Sequence, residues 1–365
     1  MNRTALIMAG GTGGHVYPAL AVARHLRAVG WRVVWLATRT GLEARVVPQE
    51  GFAVEWLSFA AVRGKGPLKL ALLPLRLLIA FVQSVRAILR QRPDVALGLG
   101  GYPSFPGGMM AVLLNRPLAI HEQNAVAGLA NRVLACLADR VLLGLPGAFG
   151  RDRDRPIPCG RVHTEWVGNP VRPEIAALPA PATRYGAREG RLRLLVVGGS
   201  LGAQALNERL PQALARLAPE VRPEVYHQAG RGKLQALEQA YAAAGVEARC
   251  TEFIDDMAAA YAWADLVICR AGASTVAEIA AAGVAALFVP YPHAVDDHQS
   301  ANARFLADAG AAWLIPQQDL GPEALADWLA ARSRAELLER AIKARGLAKP
   351  EATAQVAAVL AELAR

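Results

Sequence analysis

Cysteine is scarce: four in 365 residues, Cys136, Cys159, Cys250 and Cys269. They stand far apart with no C-x-x-C pair, so neither a disulfide framework nor a zinc site is expected, and a reducing, cytosolic setting fits best. Aromatic residues make up only 6%. The basic side chains are not interleaved with them, and no helix-turn-helix or RNA-binding signature occurs, which argues against a nucleic-acid partner. Acidic residues are outnumbered, 31 against 40 Lys and Arg, giving a net charge of +9. That balance suits an anionic lipid or a phosphorylated substrate. Long uninterrupted apolar runs are also missing. Met1 to Ala9 is too short for a signal peptide and leads straight into a glycine loop, as a first strand would, so export is not expected.

What is present is α/β composition, 53% hydrophobic with 33 glycines and 23 prolines, in a chain longer than one core usually supports. Two comparable domains are expected. Thr4 to Ala9 reads as a buried strand, followed by Gly10-Gly11-Thr12-Gly13-Gly14-His15, a helix from about Pro18 to Val29, and a strand Trp31 to Ala37. This order opens a doubly wound parallel sheet. It is not a dinucleotide fingerprint, because Val16 stands where a third glycine belongs and Thr38-Arg39 closes the second strand without an acid. It is not a P-loop either, since no Gly-Lys-Ser/Thr follows.

Asp94 to Leu97 is a further strand entering Gly98-Leu99-Gly100-Gly101-Tyr102-Pro103-Ser104-Phe105-Pro106, and Leu118 to His121 runs into Glu122-Gln123-Asn124. In open parallel sheets, ligands sit beyond the carboxyl ends of the strands, where these three loops gather. Arg151 to Arg193 is rich in Pro, Arg and Gly and reads as the linker; Asp152-Arg153-Asp154 within it reads as a solvated charge run rather than a metal motif. A second cycle follows: strand Leu192 to Val197, Gly198-Gly199-Ser200-Leu201-Gly202-Ala203, a helix from about Gln204, and strands Glu224 to Gln228, Arg249 to Ile254 and Ala285 to Val289. Beyond Gly321 the chain reads as alanine-rich helix to its end. Between these lies a strand, Asp265 to Ile268, entering Arg270-Ala271-Gly272-Ala273-Ser274-Thr275-Val276-Ala277-Glu278. A helix N-terminus there presents free N–H groups to an anion, and Glu278 is placed to accept from a ribose diol. Thr275-x-x-Glu278 is also a capping box that serves only the helix, the reading this stretch alone favours; the case for a nucleotide comes from the rest of the chain.

The glycine blocks at 10–15, 198–203 and 270–278, with His121-Glu122-Gln123-Asn124, Gly168-Asn169-Pro170-Val171-Arg172, Phe253-Ile254-Asp255-Asp256-Met257 and Asp296-Asp297-His298-Gln299, occur in the order and approximate spacing of the MurG family. The chain resembles those bacterial N-acetylglucosaminyltransferases over nearly its whole length. The resemblance implies a GT-B fold, two Rossmann-like doubly wound parallel-sheet domains facing across a cleft. Residues 1–165 would form an acceptor- and membrane-binding domain, joined by a returning C-terminal helix 346–365, and residues 166–345 would bind UDP-GlcNAc. It implies inverting transfer of GlcNAc from UDP-GlcNAc to the 4-hydroxyl of MurNAc in lipid I, forming lipid II for peptidoglycan synthesis, cell wall biogenesis, cell shape and division. No cofactor and no essential metal are expected. Partners would be UDP-GlcNAc, lipid I, an anionic membrane surface and other cell-wall synthesis proteins, at the cytoplasmic face of the inner membrane.

Carried over by position, the backbone at Ile254 would read uracil beside Phe253 and Met257. Glu278 would hold the ribose, and Ser200 with the helix start at Ala273, Ser274, Thr275, Val276 and Ala277 would take the diphosphate. Arg172, Arg270 and Asn124 would complete the donor site, with His298 and Gln299 on the sugar. Thr12, Gly13 and Gly14 would wall the transferred sugar, and Gly100, Gly101 and Tyr102 would receive the acceptor's pyrophosphate. Two departures stand out: Pro103-Ser104-Phe105-Pro106 replaces the common Val-Ser-Gly-Pro, and Ala271 a common serine.

Displacement at an anomeric carbon needs the leaving diphosphate stabilised and a proton removed from the attacking hydroxyl. His15 is the best candidate base, since imidazole titrates near working pH and the residue is read on a loop; a cap or phosphate contact is the competing role, and Glu122 or a water the alternative base. Asp255 and Asp256 are read as starting a helix. The Gly64 to Arg92 segment crowds leucines among cations, and Pro74 with those charges rules out a spanning helix. Read alone, it is either a buried helix of the α/β layer or an apolar face ringed with cations that sits on an anionic bilayer; the resemblance, with its lipid-borne substrate, implies membrane contact through Leu75, Leu78, Ile79 and Phe81 beside Lys69, Arg76 and Arg86. The rival readings are another GT-B UDP-sugar transferase with a lipid or small-molecule acceptor, and a non-catalytic nucleotide-sugar-binding protein.

Overall fold

The structure, a computed structural model, describes residues 3–58, 72–150, 159, 163–199 and 202–364. The chain divides into two compact units, Met1–Val171 with Lys349–Arg365, and Arg172–Ala348. Each is built around a parallel sheet.

The first unit has seven strands: β1 Thr4–Ala9, β2 Arg32–Thr38, β3 Ala53–Leu57, β4 Val95–Gly100, β5 Leu118–Glu122, β6 Arg140–Leu143 and β7 Glu165–Trp166, in the order β3-β2-β1-β4-β5-β6-β7. All six residues of β1 are buried, as a central strand covered on both faces requires. On one face Ile7, Trp35 and Leu97 pack with Val16, Leu20 and Leu26 of the helix Gly13–Ala28 and with Val356 and Leu360 of the last helix, Ala352–Leu363. On the other, Leu6, Met8 and Ile120 pack with Ala80, Ala87 and Ile88 of the helix Leu73–Gln91 and Ala111 of the helix Ser104–Leu113. Strand order reverses between β1 and β4, so their carboxyl ends open a crevice there.

The second unit repeats the plan with β8 Arg193–Val197, β9 Glu224–Gln228, β10 Arg249–Thr251, β11 Leu266–Cys269, β12 Ala285–Phe288 and β13 Trp313–Leu314, ordered β10-β9-β8-β11-β12-β13. Leu194, Val196, Ile268 and Leu287 from the sheet pack with Leu206, Leu210 and Leu214 of the helix Gln204–Ala215 and with Leu325 and Leu337 further on. Its reversal falls between β8 and β11. Buried Asp265, at the foot of β11, accepts from the Arg193 backbone N–H at 3.0 Å and pairs with Arg188 and Arg334. It thereby ties β11, β8 and the helix Arg334–Gly346 together.

Several expectations need correction. The first helix begins at Gly13, not near Pro18: Thr12 has an extended backbone (φ −116°, ψ 162°), and its carbonyl accepts from the His15 and Val16 N–H groups. Pro18 therefore sits inside the helix and forgoes only the bond to the Gly14 carbonyl. The stretch read as linker contains β7, an edge strand of the first sheet, and the helices Pro173–Ala176 and Pro181–Gly186. The strand expected to reach Ile254 stops at Thr251, and the C-terminal helical run is three helices, Pro322–Ala330, Arg334–Gly346 and Ala352–Leu363. Cys136 and Cys159 form a disulfide, contrary to the reading of four isolated thiols; they are 23 positions apart in sequence, and the fold brings their Cα atoms to 5.6 Å. Asp152 to Asp154, Lys69 and Ser200 lie outside the described residues.

Candidate functional site

In the first unit, three predicted loops meet at the carboxyl ends of β1, β4 and β5, which are neighbours in the sheet. Gly100 and Gly101 both have positive φ (98° and 81°), the region that glycine enters without penalty. A Cβ on Gly101 would stand 2.1 Å from the Gly10 carbonyl oxygen, so the two glycine loops touch backbone to backbone. One on Gly100 would meet the His15 ring at 3.0 to 3.5 Å. His15 accordingly lies against the loop expected to receive the acceptor, and it does so from the first turn of its helix rather than from a loop. Thr12 is exposed, and Gly13, Gly14 and His15 are half-buried beside it.

Buried groups brace this arrangement. Ser104, wholly buried, accepts from the Gly100 N–H at 3.0 Å and its hydroxyl lies 2.7 Å from the Met8 carbonyl, so the departure at Pro103 to Pro106 keeps the contact that holds Gly100. Glu43, also wholly buried, accepts from the Gly11 N–H at 2.8 Å and from the Thr38 hydroxyl at 2.6 Å. Sequence reading missed Glu43. A carboxylate does stand past the end of β2, but it serves the protein's own glycine loop rather than a ribose.

Glu122 is buried, and its two oxygens accept from the Asn124 and Gly128 N–H groups and from the Asn124 and Asn131 amides at 2.9 to 3.1 Å. With both oxygens engaged, it organises the loop after β5 and is poorly placed to take a substrate proton. Gln123 instead reaches His15, with Oε1 3.1 Å from Nδ1. Tyr102 is exposed at the loop's rim.

In the second unit, Gly272 is the N-cap of the helix Ala273–Ala282. The capping box is not formed: the helix starts too early for it, and Glu278 turns away to accept from Arg172 (2.9 and 3.2 Å) and from the Tyr261 hydroxyl at 3.2 Å. Burial raises the Glu278 pKa above the usual carboxylate value, and Arg172 acts against it. Two residues expected at the donor thus already face each other, with Tyr261 as a third that the sequence did not single out. The Ser274 hydroxyl oxygen is buried and has no hydrogen-bond partner among the described residues, directly at the helix start. Buried Asn302 donates to the Ala271 carbonyl at 3.1 Å, fixing the turn into the helix. Ala273 and Val276 are buried, while Thr275 and Ala277 are half-buried.

Arg270 donates to the Val289 and Pro290 carbonyls at 3.0 and 3.1 Å and to Gln317 at 2.7 Å. Gln299 accepts from the Tyr291 N–H at 2.9 Å, and His298 opens the helix His298–Ala307 behind Asp296 and Asp297, both at positive φ. Asp256 caps the helix Met257–Trp263 by accepting from Ala259 N–H at 2.8 Å, the role expected of it. Phe253 is exposed, Ile254 buried and Met257 half-buried.

The helix Leu73–Gln91 turns Ala80, Ser84, Ala87 and Ile88 inward and leaves Leu72, Leu75, Leu78, Ile79 and Val82 exposed, with Arg86 among them. Phe81 is half-buried against Phe105, and Arg76 is half-buried too. Among the described residues no helix is long and apolar enough to cross a membrane, and no cluster of three His, Cys, Asp or Glu side chains is arranged to hold a metal.

Comparison with known proteins agrees with this fold. Residues 5–143 match the Glycosyltransferase family 28 N-terminal domain, and residues 193–356 the Glycosyltransferase family 28 C-terminal domain. The chain is 62% identical over 364 residues to the UDP-N-acetylglucosamine--N-acetylmuramyl-(pentapeptide) pyrophosphoryl-undecaprenol N-acetylglucosamine transferase of Thiobacillus denitrificans, covering 100% of this chain and 99% of that one. It is 57% identical over 365 residues to the transferase of the same name from Dechloromonas aromatica, covering 100% of both. Among solved structures, Acinetobacter baumannii MurG aligns with a TM-score of 0.85 at 41% identity over 99% of each chain. The kitacinnamycin glycotransferase, 17% identical with a TM-score of 0.72 over 100% of both chains, shares the fold.

Proposed function

The chain belongs to glycosyltransferase family 28, and from that premise we infer that it transfers GlcNAc from UDP-GlcNAc to lipid I, forming lipid II for peptidoglycan synthesis. The observation that carries the catalytic half of this reading is the contact of His15 with the Gly100 loop. It puts an imidazole against the backbone assigned to the acceptor's pyrophosphate end.

The reaction is a single displacement. The MurNAc 4-hydroxyl oxygen forms a bond to the anomeric carbon, the bond from that carbon to the UDP oxygen breaks, and the electron pair leaves with the diphosphate. Configuration inverts because attack and departure are on opposite faces. The hydroxyl proton passes to His15. In the second unit, the N–H groups opening the helix Ala273–Ala282 and the Ser274 hydroxyl meet the charge on the diphosphate. Glu278, held by Arg172 and Tyr261, accepts from the ribose diol, and Phe253, Ile254 and Met257 line the uracil. Thr12, Gly13, Gly14, Asn124, His298 and Gln299 are assigned to the sugar and Tyr102 to the acceptor; neither a metal nor a cofactor enters this scheme.

A lipid-borne acceptor requires the enzyme at a bilayer, here the cytoplasmic face of the inner membrane. The exposed row Leu72, Leu75, Leu78 and Ile79 beside Arg86 supports that placement. The deciding experiment measures UDP release and product mass with UDP-GlcNAc and a soluble lipid I analogue. Stoichiometric UDP and disaccharide product are expected; UDP-GlcNAc binding with no turnover would make the protein a sensor instead.

A further inference from the structure

The site contains a line of hydrogen bonds that the reaction scheme above does not use. His121 Nε2 lies 2.9 Å from the Gly168 carbonyl oxygen, Gln123 Nε2 lies 3.0 Å from both His121 Nδ1 and the His121 carbonyl, and Gln123 Oε1 lies 3.1 Å from His15 Nδ1. Proton positions along this line follow from its fixed end. A backbone carbonyl only accepts, so His121 must carry its proton on Nε2. His121 is fully buried and its pKa is pushed down to about 4 by that burial, so it stays neutral near pH 7 and Nδ1 bears a lone pair. That lone pair needs a donor, and the Gln123 amide nitrogen supplies it; the same nitrogen donates to the His121 carbonyl, which the Asn131 amide also reaches at 3.4 Å. The amide oxygen is thereby turned to His15 and must receive a proton from Nδ1. Flipping the amide would set Oε1 against the His121 carbonyl oxygen, two acceptors facing each other.

We propose that Gln123 and His121 are positioning residues that hold His15 in the Nδ1–H tautomer, with the Nε2 lone pair as the site that takes the acceptor hydroxyl proton. The proposal rests on the reading of His15 as the base. Its chemistry is that of an imidazole oriented by a partner on its second nitrogen: the wrong tautomer presents an N–H where a lone pair is needed. Here the orienting partner is a neutral amide, itself oriented by a second, buried imidazole. The line ends at Gly168, a glycine at φ 89°, where a Cβ would meet the Lys349 side chain at 2.3 Å. Its neighbour Asn169 donates to the Gln123 carbonyl at 3.0 Å, so the relay is pinned from two sides within the first unit.

The test is nitrogen NMR of the histidine rings in the full-length protein, with His15→Ala to assign the signal, together with steady-state kinetics of two variants. In the wild type, His15 Nδ1 should be protonated and Nε2 unprotonated at pH 7.5 and above. Gln123→Met, which removes both contacts, should mix the tautomers and lower kcat by about tenfold to a hundredfold, with the UDP-GlcNAc KM unchanged. Gln123→Glu keeps an acceptor against His15 and should restore both the tautomer and most of kcat, while His121 takes up a proton to face the new carboxylate. A wild-type His15 protonated on Nε2, or a Gln123→Met enzyme with unaltered tautomer and kcat, overturns the relay. The reading of His15 as base fails separately, if the tautomer is as stated yet His15→Ala turns over at the wild-type rate.

Discussion

The two units share one plan, a parallel sheet with its functional loops at the reversal of strand order, yet they hold those loops by different forces. In the first unit, the chain of His15, Gln123 and His121, the Ser104 hydroxyl and the buried carboxylates of Glu43 and Glu122 hold the loops through hydrogen bonds to backbone and uncharged side chains. In the second, the Arg172–Glu278 ion pair stands at the functional helix, and at the opposite, amino end of β11 buried Asp265 pairs with Arg188 and Arg334. The difference follows the chemistry. On the proposed function, this suits a proton acceptor braced by an amide in the first unit and a diphosphate met by a guanidinium and a helix N-terminus in the second.

The largest expected effect breaks the second unit alone. Asp265→Ala leaves the buried guanidinium of Arg188 without its partner, and loss of one member of a buried pair costs about 3 to 5 kcal/mol. Hydrogen exchange should lose protection in β8 and β11 while β1 and β4 keep theirs; equal loss in both sheets would mean the units do not owe their stability to separate devices. Next in size, Glu278→Ala should weaken UDP binding by about tenfold to a hundredfold, the scale of one or two charge-assisted hydrogen bonds. An unchanged UDP affinity by calorimetry would remove Glu278 from the donor site.

Acid sharpens the comparison further, because each unit buries one neutral histidine. His121 is pushed down to about 4 and His227, held between Tyr241 and Asn207, to about 3. Unfolded, each takes a proton below about pH 6.5, and folded it does not, so their contribution to stability is complete above that pH and is lost as the pH falls. Stability should decline from about pH 6.5, with the His121 part levelling off near 4 and the His227 part near 3. Urea midpoints that stay flat from pH 7 to 4 would contradict it. The smallest effect concerns the surface: Leu75→Ser with Leu78→Ser should lower sedimentation with anionic vesicles severalfold and leave UDP affinity untouched, since each exposed leucine offers about 1.5 to 3 kcal/mol on burial. Unchanged sedimentation would dismiss the membrane face.

Local patterns made the fold class legible. Continuous apolar runs such as Thr4–Ala9 mark buried parallel strands, and glycines at their carboxyl ends mark where ligands approach. Boundaries were less so: Pro18 was read as a helix start because proline favours that position, yet the Thr12 carbonyl had already begun the helix at Gly13. Glu43, Gln123 and Tyr261 were invisible because their roles depend on partners 32, 108 and 17 residues away. Cys136 and Cys159 were misread for the same reason, since spacing alone does not reveal a contact made by folding. Thr275 and Glu278 carry a cap signature that fits a helix with Thr275 as its N-cap; the N-cap is Gly272, and the carboxylate goes to Arg172 instead.

The most direct measurement is the steady-state behaviour of His15→Ala with UDP-GlcNAc varied at saturating lipid I analogue. If the first unit supplies the base and the second the donor grip, kcat falls by about a hundredfold to ten-thousandfold while the UDP-GlcNAc KM stays within about twofold. A raised KM with kcat intact would place His15 in donor binding and contradict the division of labour between the two units.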